Sequence, residues 1–368
     1  MWNSPLWRKR KSVFKLLIVD DSALMRRHLS AQFQAEGDFD IRIARNGIEA
    51  VEENREFKPD VITLDINMPE MDGLTALSLI MAERPVPVVM VSSLTEQGAL
   101  ATFEALNLGA VDYIAKPGGT ISLSIDAIKE ELVDKVRSAV HAKFKRMGTG
   151  VKGLSQRLRQ ERESEKPHPP VLRRGVDNQG LVVIGVSTGG PRTLEDILPE
   201  LPADFPWPIL VAQHMPAAFT KSFADRLDQI CKLAVHEAAS PMPVEPGNIY
   251  LGKGDSDMVL TNRAGRLHVV PKPENAQFLW HPSVELLGRS VLEHSDPAHV
   301  VGIMLTGMGD DGSDAFTELK HRGGRTIAES EESAVVFGMP KELIDKGGAT
   351  LVLSAEKIVG QLRAWARE

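Results

Sequence analysis

A single cysteine, Cys231, stands among 368 residues, which excludes an internal disulfide framework and a zinc site built on several thiolates. The ten histidines form no HExxH pair, so that helical zinc signature is missing too. No apolar run reaches the roughly 18–20 residues that a membrane helix needs. The opening "MWNSPLWRKRKSVFKLLIVDD" sets basic residues before an apolar stretch. That stretch is short, ends in two aspartates and lacks a small-residue cleavage site, so it reads as a strand and not a signal peptide. Positive charge is outnumbered, 43 Lys and Arg against 50 Asp and Glu, and the net of −7 argues against nucleic acid as the main partner. A cytoplasmic, monomeric protein without a structural metal or membrane insertion is the expectation, with length enough for two domains.

The charge is uneven. Between His141 and Asn178 ten Lys and Arg face four Asp and Glu, a net of +6 that leaves −13 for the rest. This stretch mixes charge and proline with few large apolar residues, the composition of a solvated tether, helical at first and then disordered. It divides the chain into residues 14–131, a linker at 132–178, and residues 179–368.

Before the tether, the apolar runs "FKLLIVDD", "FDIRIAR", "PDVITLDI", "VPVVMVSS" and "AVDYIAKP" alternate with helix-period segments beginning near Ser22, Asn46, Asp72, Glu96 and about Ser122. This alternation predicts a five-stranded, mostly or wholly parallel α/β sheet. Right-handed crossovers bring the carboxyl ends of such strands to one ligand-binding edge. Asp20, Asp21, Asp65, Ser92 and Lys116 all fall at those ends. Three converging carboxylates repel one another unless a cation is present, and a hard divalent ion, Mg²⁺, suits oxygen ligands. A carboxylate beside Mg²⁺, a lysine and a hydroxyl can accept a phosphoryl group, and Asp65 is the central candidate.

With "VDDS", "LDINMPEMDG", "VSS" and "AKPGG", this stretch resembles the receiver domain of response regulators, a flavodoxin-like fold. The resemblance implies phosphorylation of Asp65 by a histidine kinase. It also implies Mg²⁺ held by Asp20, Asp21, Asp65 and the backbone carbonyl of Asn67. Ser92 and Tyr113 would be switch residues, Lys116 would contact the phosphoryl group, and the Lys116–Pro117 bond would be cis.

After the tether, "LVVIGVS", "WPILVAQH", "NIYLGKG", "VVGIMLTGMG" and "ATLVLS" read as strands, with helices such as "TLEDILPELP", "FTKSFADRLDQI" and "DAFTELKHRGG" between them. "DMVLTNRAGRLHVVP" reads as a hairpin, which gives a second doubly wound α/β domain with an antiparallel portion. "GVSTGGP" follows the first of these strands. It lacks the lysine of a P-loop and the second glycine of a dinucleotide fingerprint. It does satisfy G-x-S-x-G, the elbow that exposes a serine hydroxyl. The same residues also suit a helix N-cap by Ser187 or Thr188. "LVAQHMP" sets His214 at another strand end, and "IMLTGMGDDGSD" sets Asp310, Asp311 and Asp314 in a glycine-rich loop after a third. Serine, histidine and aspartate in that placement supply nucleophile, base and orienting group. Their order differs from the Ser…Asp/Glu…His order of α/β-hydrolases.

Residues 179–368, through "GVSTGGP", "QHMP", "FADRL", "LTGMGDDG" and "GGRTIAESEESAVVFGMP", resemble the catalytic domain of chemotaxis-type protein-glutamate methylesterases. The resemblance implies Ser187 as nucleophile, His214 as base and Asp311 as orienting carboxylate. Thr188 and Met308 would shape the site, Met308 through an oxyanion contact. No cofactor is implied for the ester chemistry. It further implies hydrolysis of glutamate γ-methyl esters on the cytoplasmic domain of chemoreceptors, with glutamine deamidation open. His281 stands where the family more often has arginine, and Gly252 and Lys253 where alanine and proline are usual. Three rival readings stay open: a DNA-binding response regulator, an anion-binding module at "GVSTGGP", and an esterase acting on a different methylated protein.

Overall fold

Strands β1 (Phe14–Val19), β2 (Phe39–Ala44), β3 (Val61–Asp65), β4 (Val88–Ser93) and β5 (Asp112–Lys116) pair in the order β2-β1-β3-β4-β5, every pair parallel. The central strand β3 is buried along its whole length, as a parallel strand covered on both faces requires. Helices α1 (Ala23–Glu36), α2 (Gly47–Glu56), α3 (Gly73–Glu83) and α4 (Glu96–Leu108) alternate with these strands. The first three begin where the sequence predicts. The side chains of Ser22, Asn46 and Asp72 accept from the amides of Met25, Glu49 and Thr75, satisfying donors that a helix start leaves open.

The computed structural model describes residues 13–93, 95–116, 129–142 and 180–368. They fall in two compact units, one holding these five strands and the other ten more. The helix expected from about Ser122 is described as α5 (Lys129–Val140), which buries Leu132, Val133, Val136 and Ala139. Residues 132–140 of the expected linker belong to this helix; 143–178 lie outside the described residues.

In the second unit the connections again alternate strand and helix. They run β6 (Leu181–Val186), α6 (Gly190–Ile197), β7 (Ile209–Gln213), α7 (Ala217–Ile230), β8 (Ala234–Ala238), β9 (Met242–Pro243), β10 (Asn248–Gly252), β11 (Asp257–Arg263) and β12 (Arg266–Lys272). Then follow α8 (Val284–His294), β13 (Val300–Met304), α9 (Ser313–His321), β14 (Arg325–Glu329), α10 (Met339–Asp345), β15 (Leu351–Leu353) and α11 (Ala355–Trp365). Seven strands form one parallel sheet in the order β15-β14-β13-β6-β7-β10-β8. The expected hairpin is β11–β12, turning at Ala264 and Gly265 with φ of 51° and 81°, the paired positive angles of a two-residue hairpin turn. With β9 it makes a separate three-stranded antiparallel sheet, so the main sheet carries no antiparallel strand. Among the described residues no helix is long and apolar enough to cross a membrane.

Candidate active site and phosphoacceptor site

In the first sheet the strand order reverses between β1 and β3, and ligands of such sheets bind outside the strand ends at that point. Asp20 and Asp21 follow β1 and Asp65 ends β3; one carboxylate oxygen of each lies within 4.8 Å of the others. Lys116, the last residue of β5, sets its Nζ 2.9 Å from Asp20 Oδ2 and 2.7 Å from Asp65 Oδ2. Asp20 and Asp65 are buried, whereas Asp21 is exposed. Burial pushes the Asp65 carboxyl above its ordinary value; the charge of Lys116 offsets only part of this, and Asp20 adds to it. One ammonium among three carboxylates leaves negative charge to spare. An all-oxygen donor set is the chemistry that fits Mg²⁺.

Gly73 closes the turn behind Asp65. Its amide donates to the Ile66 carbonyl at 2.8 Å, and a Cβ there would come within 2.0 Å of the Asp65 carbonyl oxygen. Ser92 on β4 is fully buried, and Asn67 is exposed in the loop after β3. Tyr113 on β5 is buried, which drives its phenol well above the ordinary value; Lys135 of α5 donates to its carbonyl at 2.7 Å and covers its ring at 5.1 Å. Pro117, and with it the expected cis bond, lies outside the described residues.

The second sheet reverses its order between β13 and β6, and "GVSTGGP" begins at that edge. Register aligns Val186 with Gln213 and Met304 with Gly185. Beyond the strands the pairing continues. The Ser187 amide donates to the Thr306 carbonyl at 3.0 Å, and the His214 amide to the Val186 carbonyl at 3.1 Å. Ser187 and His214 therefore stand level on neighbouring strands, which lie about 4.8 Å apart in any sheet. The Gln213 side chain ties the two ends, its Nε2 donating to the carbonyls of Ser187 and His214 at 3.0 Å each.

The capping alternative does not hold. The N-cap of α6 is Gly189, at φ 79°, and no side chain caps the helix. A Cβ on Gly189 would also sit 2.6 Å from Val335 Cβ. Gly307 presses against the serine from the β13 side, where a Cβ would lie 2.8 Å from Ser187 Cβ. Thr188 is buried, with its carbonyl accepting from Thr306 Oγ1 at 2.8 Å, and Met308, half-buried, follows Gly307.

Of the three aspartates in the loop after β13, Asp311 meets the histidine: His214 Nε2 lies 2.8 Å from Asp311 Oδ2, and the two side chains are 6% and 7% exposed. Asp310 is exposed, and Asp314 pairs with Lys346. Asp311 also accepts from the start of α8. The Val284 amide (2.7 Å) donates to Oδ2, and the Glu285 amide (2.9 Å) and Ser283 Oγ (3.0 Å) donate to Oδ1. Burial alone would raise this carboxyl. The His214 hydrogen bond and charge, with the Glu285 and Val284 amides, bring it below its ordinary value, and a helix N-terminus favours the anion. An ionised carboxylate only accepts, so His214 Nε2 carries the proton and Nδ1 offers its lone pair. Nδ1 is buried and has no hydrogen-bond partner. Trp280 stacks flat on the imidazole, centroids 5.1 Å apart and planes 10° from parallel.

The sequence reading does not pick out Trp280, Ser283, or Asp257, the buried first residue of β11 that pairs with His281. Of the other two departures, Gly252 lies against Pro282, where a Cβ would come to 3.1 Å of its ring, and Lys253 is exposed.

Residues 182–362 match the family model for the CheB methylesterase, and residues 16–126 that for the response regulator receiver domain. The chain is 56% identical over 358 residues to a protein-glutamate methylesterase/protein-glutamine glutaminase of Rhodospirillum rubrum, across 95% of this chain and 96% of that one. A protein of the same description from Caldanaerobacter subterraneus is 49% identical over 355 residues, 95% of each chain. Among solved structures, the catalytic domain of Thermotoga maritima CheB methylesterase has 41% sequence identity, covers 51% of this chain and 98% of its own, and has a TM-score of 0.49.

Proposed function

The chain belongs to the family of protein-glutamate methylesterases/protein-glutamine glutaminases, and we propose that it hydrolyses glutamate γ-methyl esters on the cytoplasmic domain of chemoreceptors under the control of phosphorylation at Asp65. The regulatory receiver, expected over residues 14–131, would extend through α5 to His141, with the linker after it to residue 178 and the esterase at 179–368. The observation that carries the chemistry is the His214–Asp311 hydrogen bond set level with Ser187.

Ser187 Oγ attacks the ester carbonyl while His214 Nδ1 takes its proton. Asp311 accepts from Nε2, fixes the tautomer and stabilises the imidazolium that forms. The imidazolium then gives its proton to the departing methoxide. Methanol leaves and a glutamyl ester of Ser187 remains. Water, deprotonated by His214, attacks that ester, and the glutamate carboxylate and the serine are released. A glutamine would pass through the same acyl-enzyme with ammonia as the leaving group. Thr188, next to Ser187 in the chain, and Met308, next to the Gly307 that packs on Ser187, would shape the site, Met308 through an oxyanion contact. Asp20, Asp21, Asp65 and the Asn67 carbonyl would hold Mg²⁺, which supplies charge neutralisation to an aspartyl phosphate. Lys116, already 2.7 Å from Asp65, follows the phosphoryl group donated by a histidine kinase. Ser92 and Tyr113 relay that change, shifting the population between less and more active arrangements.

The test is methanol release from a methylated receptor preparation by wild type and Ser187→Ala, with and without Mg²⁺ and a small phosphoryl donor. Release should fall on the order of 10⁶-fold without the serine hydroxyl and rise with the donor in wild type. Release by Ser187→Ala near the wild-type rate would refute the nucleophile; release indifferent to the donor would remove the regulation.

A further inference from the structure

Residues 273–283, which join β12 to α8, touch the His214–Asp311 couple at two places. Trp280 stacks on the imidazole, and Ser283 with the first two residues of α8 supplies three of the four donors to Asp311. The chain is irregular there, with bends and turns in place of a ladder. A segment without its own ladder is placed by whatever anchors its polar groups.

That anchor is a second buried carboxylate. The Asp257 side chain is 0% exposed and accepts three N–H donors from the segment: the Asn275 amide (3.1 Å, to Oδ2), His281 Nδ1 (3.0 Å, to Oδ1) and the Ser283 amide (2.9 Å, to Oδ1). The contacts span the stretch from before Trp280 to the N-cap of α8. His281 is itself mostly buried, its side chain 15% exposed. Asp257 therefore bears on both members of the couple through one loop, while touching neither. We propose that Asp257, with His281 as its side-chain partner, is a positioning residue of the esterase, holding Trp280 against His214 and the Ser283–Glu285 donors against Asp311. The inference rests on the Ser187–His214–Asp311 reading. Its physical content is that a shift of about 1 Å in a catalytic group can cost on the order of 10²-fold in rate.

The experiment uses the full chain and a methylated receptor preparation, comparing wild type, Ser187→Ala, Asp257→Ala, His281→Leu and His281→Asn. The asparagine keeps an N–H near the place of Nδ1. Asp257→Ala should lower kcat about 10–100-fold with KM unchanged. His281→Leu should lower it in the same way but less, and His281→Asn should restore most of it. Imidazole ¹⁵N shifts of His214 should report a single Nε2–H tautomer in wild type and a mixture in the two impaired variants. Unaltered kcat and ¹⁵N shifts in folded Asp257→Ala would overturn the proposal, as would a loss confined to KM. If Asp257→Ala does not fold, His281→Leu decides: wild-type kcat and shifts there sink the proposal. Release that survives Ser187→Ala sinks the triad reading instead, whereas release that needs Ser187 but ignores Asp257 and His281 sinks this inference alone.

Discussion

Asp65 and Asp311 are both aspartates at the carboxyl edge of a parallel sheet, beside the point where strand order reverses. Their surroundings drive them in opposite directions. Asp65 faces a like charge, Asp20, and a lysine at the end of a flexible stem, and its carboxyl is pushed up. Asp311 is held by two backbone amides, a hydroxyl and an imidazole, and its carboxyl is brought down. On the proposed reading, fixed donors suit a carboxylate that stays ionised and still throughout a reaction, and a single ammonium beside crowded anions suits one that gains a group and loses it again. Identity of residue and position in the fold set neither role; the supply of donors does.

Crossed substitutions would break the comparison most forcefully. Asp311→Asn should lower methanol-release kcat on the order of 10⁴-fold, because an amide facing Nε2 favours the wrong tautomer. Asp65→Asn should abolish uptake of phosphoryl label from a small donor. Label uptake undiminished in Asp65→Asn would remove it as the acceptor.

Each site also has a glycine pressed against one of its residues. A Cβ on Gly73 meets the Asp65 carbonyl at 2.0 Å, and one on Gly307 meets Ser187 Cβ at 2.8 Å. Gly73→Ala and Gly307→Ala should each destabilise by about 1–3 kcal/mol, read as a lowered unfolding midpoint. Gly73→Ala should cost more, since its obstacle is backbone. Equal midpoints to wild type would show that both turns can give way.

The smallest effect is in acid, measured without added metal. Asp311, lowered in the fold, contributes stability that is complete above the unfolded value of about 4 and lost as pH falls below it through the folded value. Asp65, raised in the fold, carries a penalty while charged, so stability rises as pH falls through its folded value toward about 4. Urea midpoints of wild type, Asp65→Asn and Asp311→Asn between pH 3 and 6 separate the two, because each variant should lose its own limb. A common limb in all three proteins would dissolve the contrast.

Strands β1, β3 and β4 were legible because buried parallel strands are continuous apolar runs, the edge strand β2 because its apolar residues alternate with polar ones, and Ser22, Asn46 and Asp72 announce the helices that follow. The hairpin was legible from Ala264–Gly265 between alternating runs. In the second unit β8 and β14 escaped notice. "AVHEA" lies on a sheet edge with only part of its surface buried, and "RTIAE" ends in Glu329, wholly buried in spite of its charge. Serine, histidine and the choice among three aspartates were legible from motifs. Asp257 and Ser283 were not, because a side chain that binds amides 18 or 26 residues away leaves no local pattern. His281 stood out only as a departure, without its partner.

The amides of Val284 and Glu285 belong to the first turn of a helix, where donors usually wait for water or a neighbouring cap. Here they are satisfied by Asp311, more than two dozen residues further along the chain. Ser283 caps the Leu286 amide, but the two amides before it are satisfied only by the loop that orients the histidine. Completing the helix start and fixing the imidazole then depend on the same carboxylate. A partly folded chain, for instance one still emerging from the ribosome, would hold a serine and a histidine but no competent hydrolase.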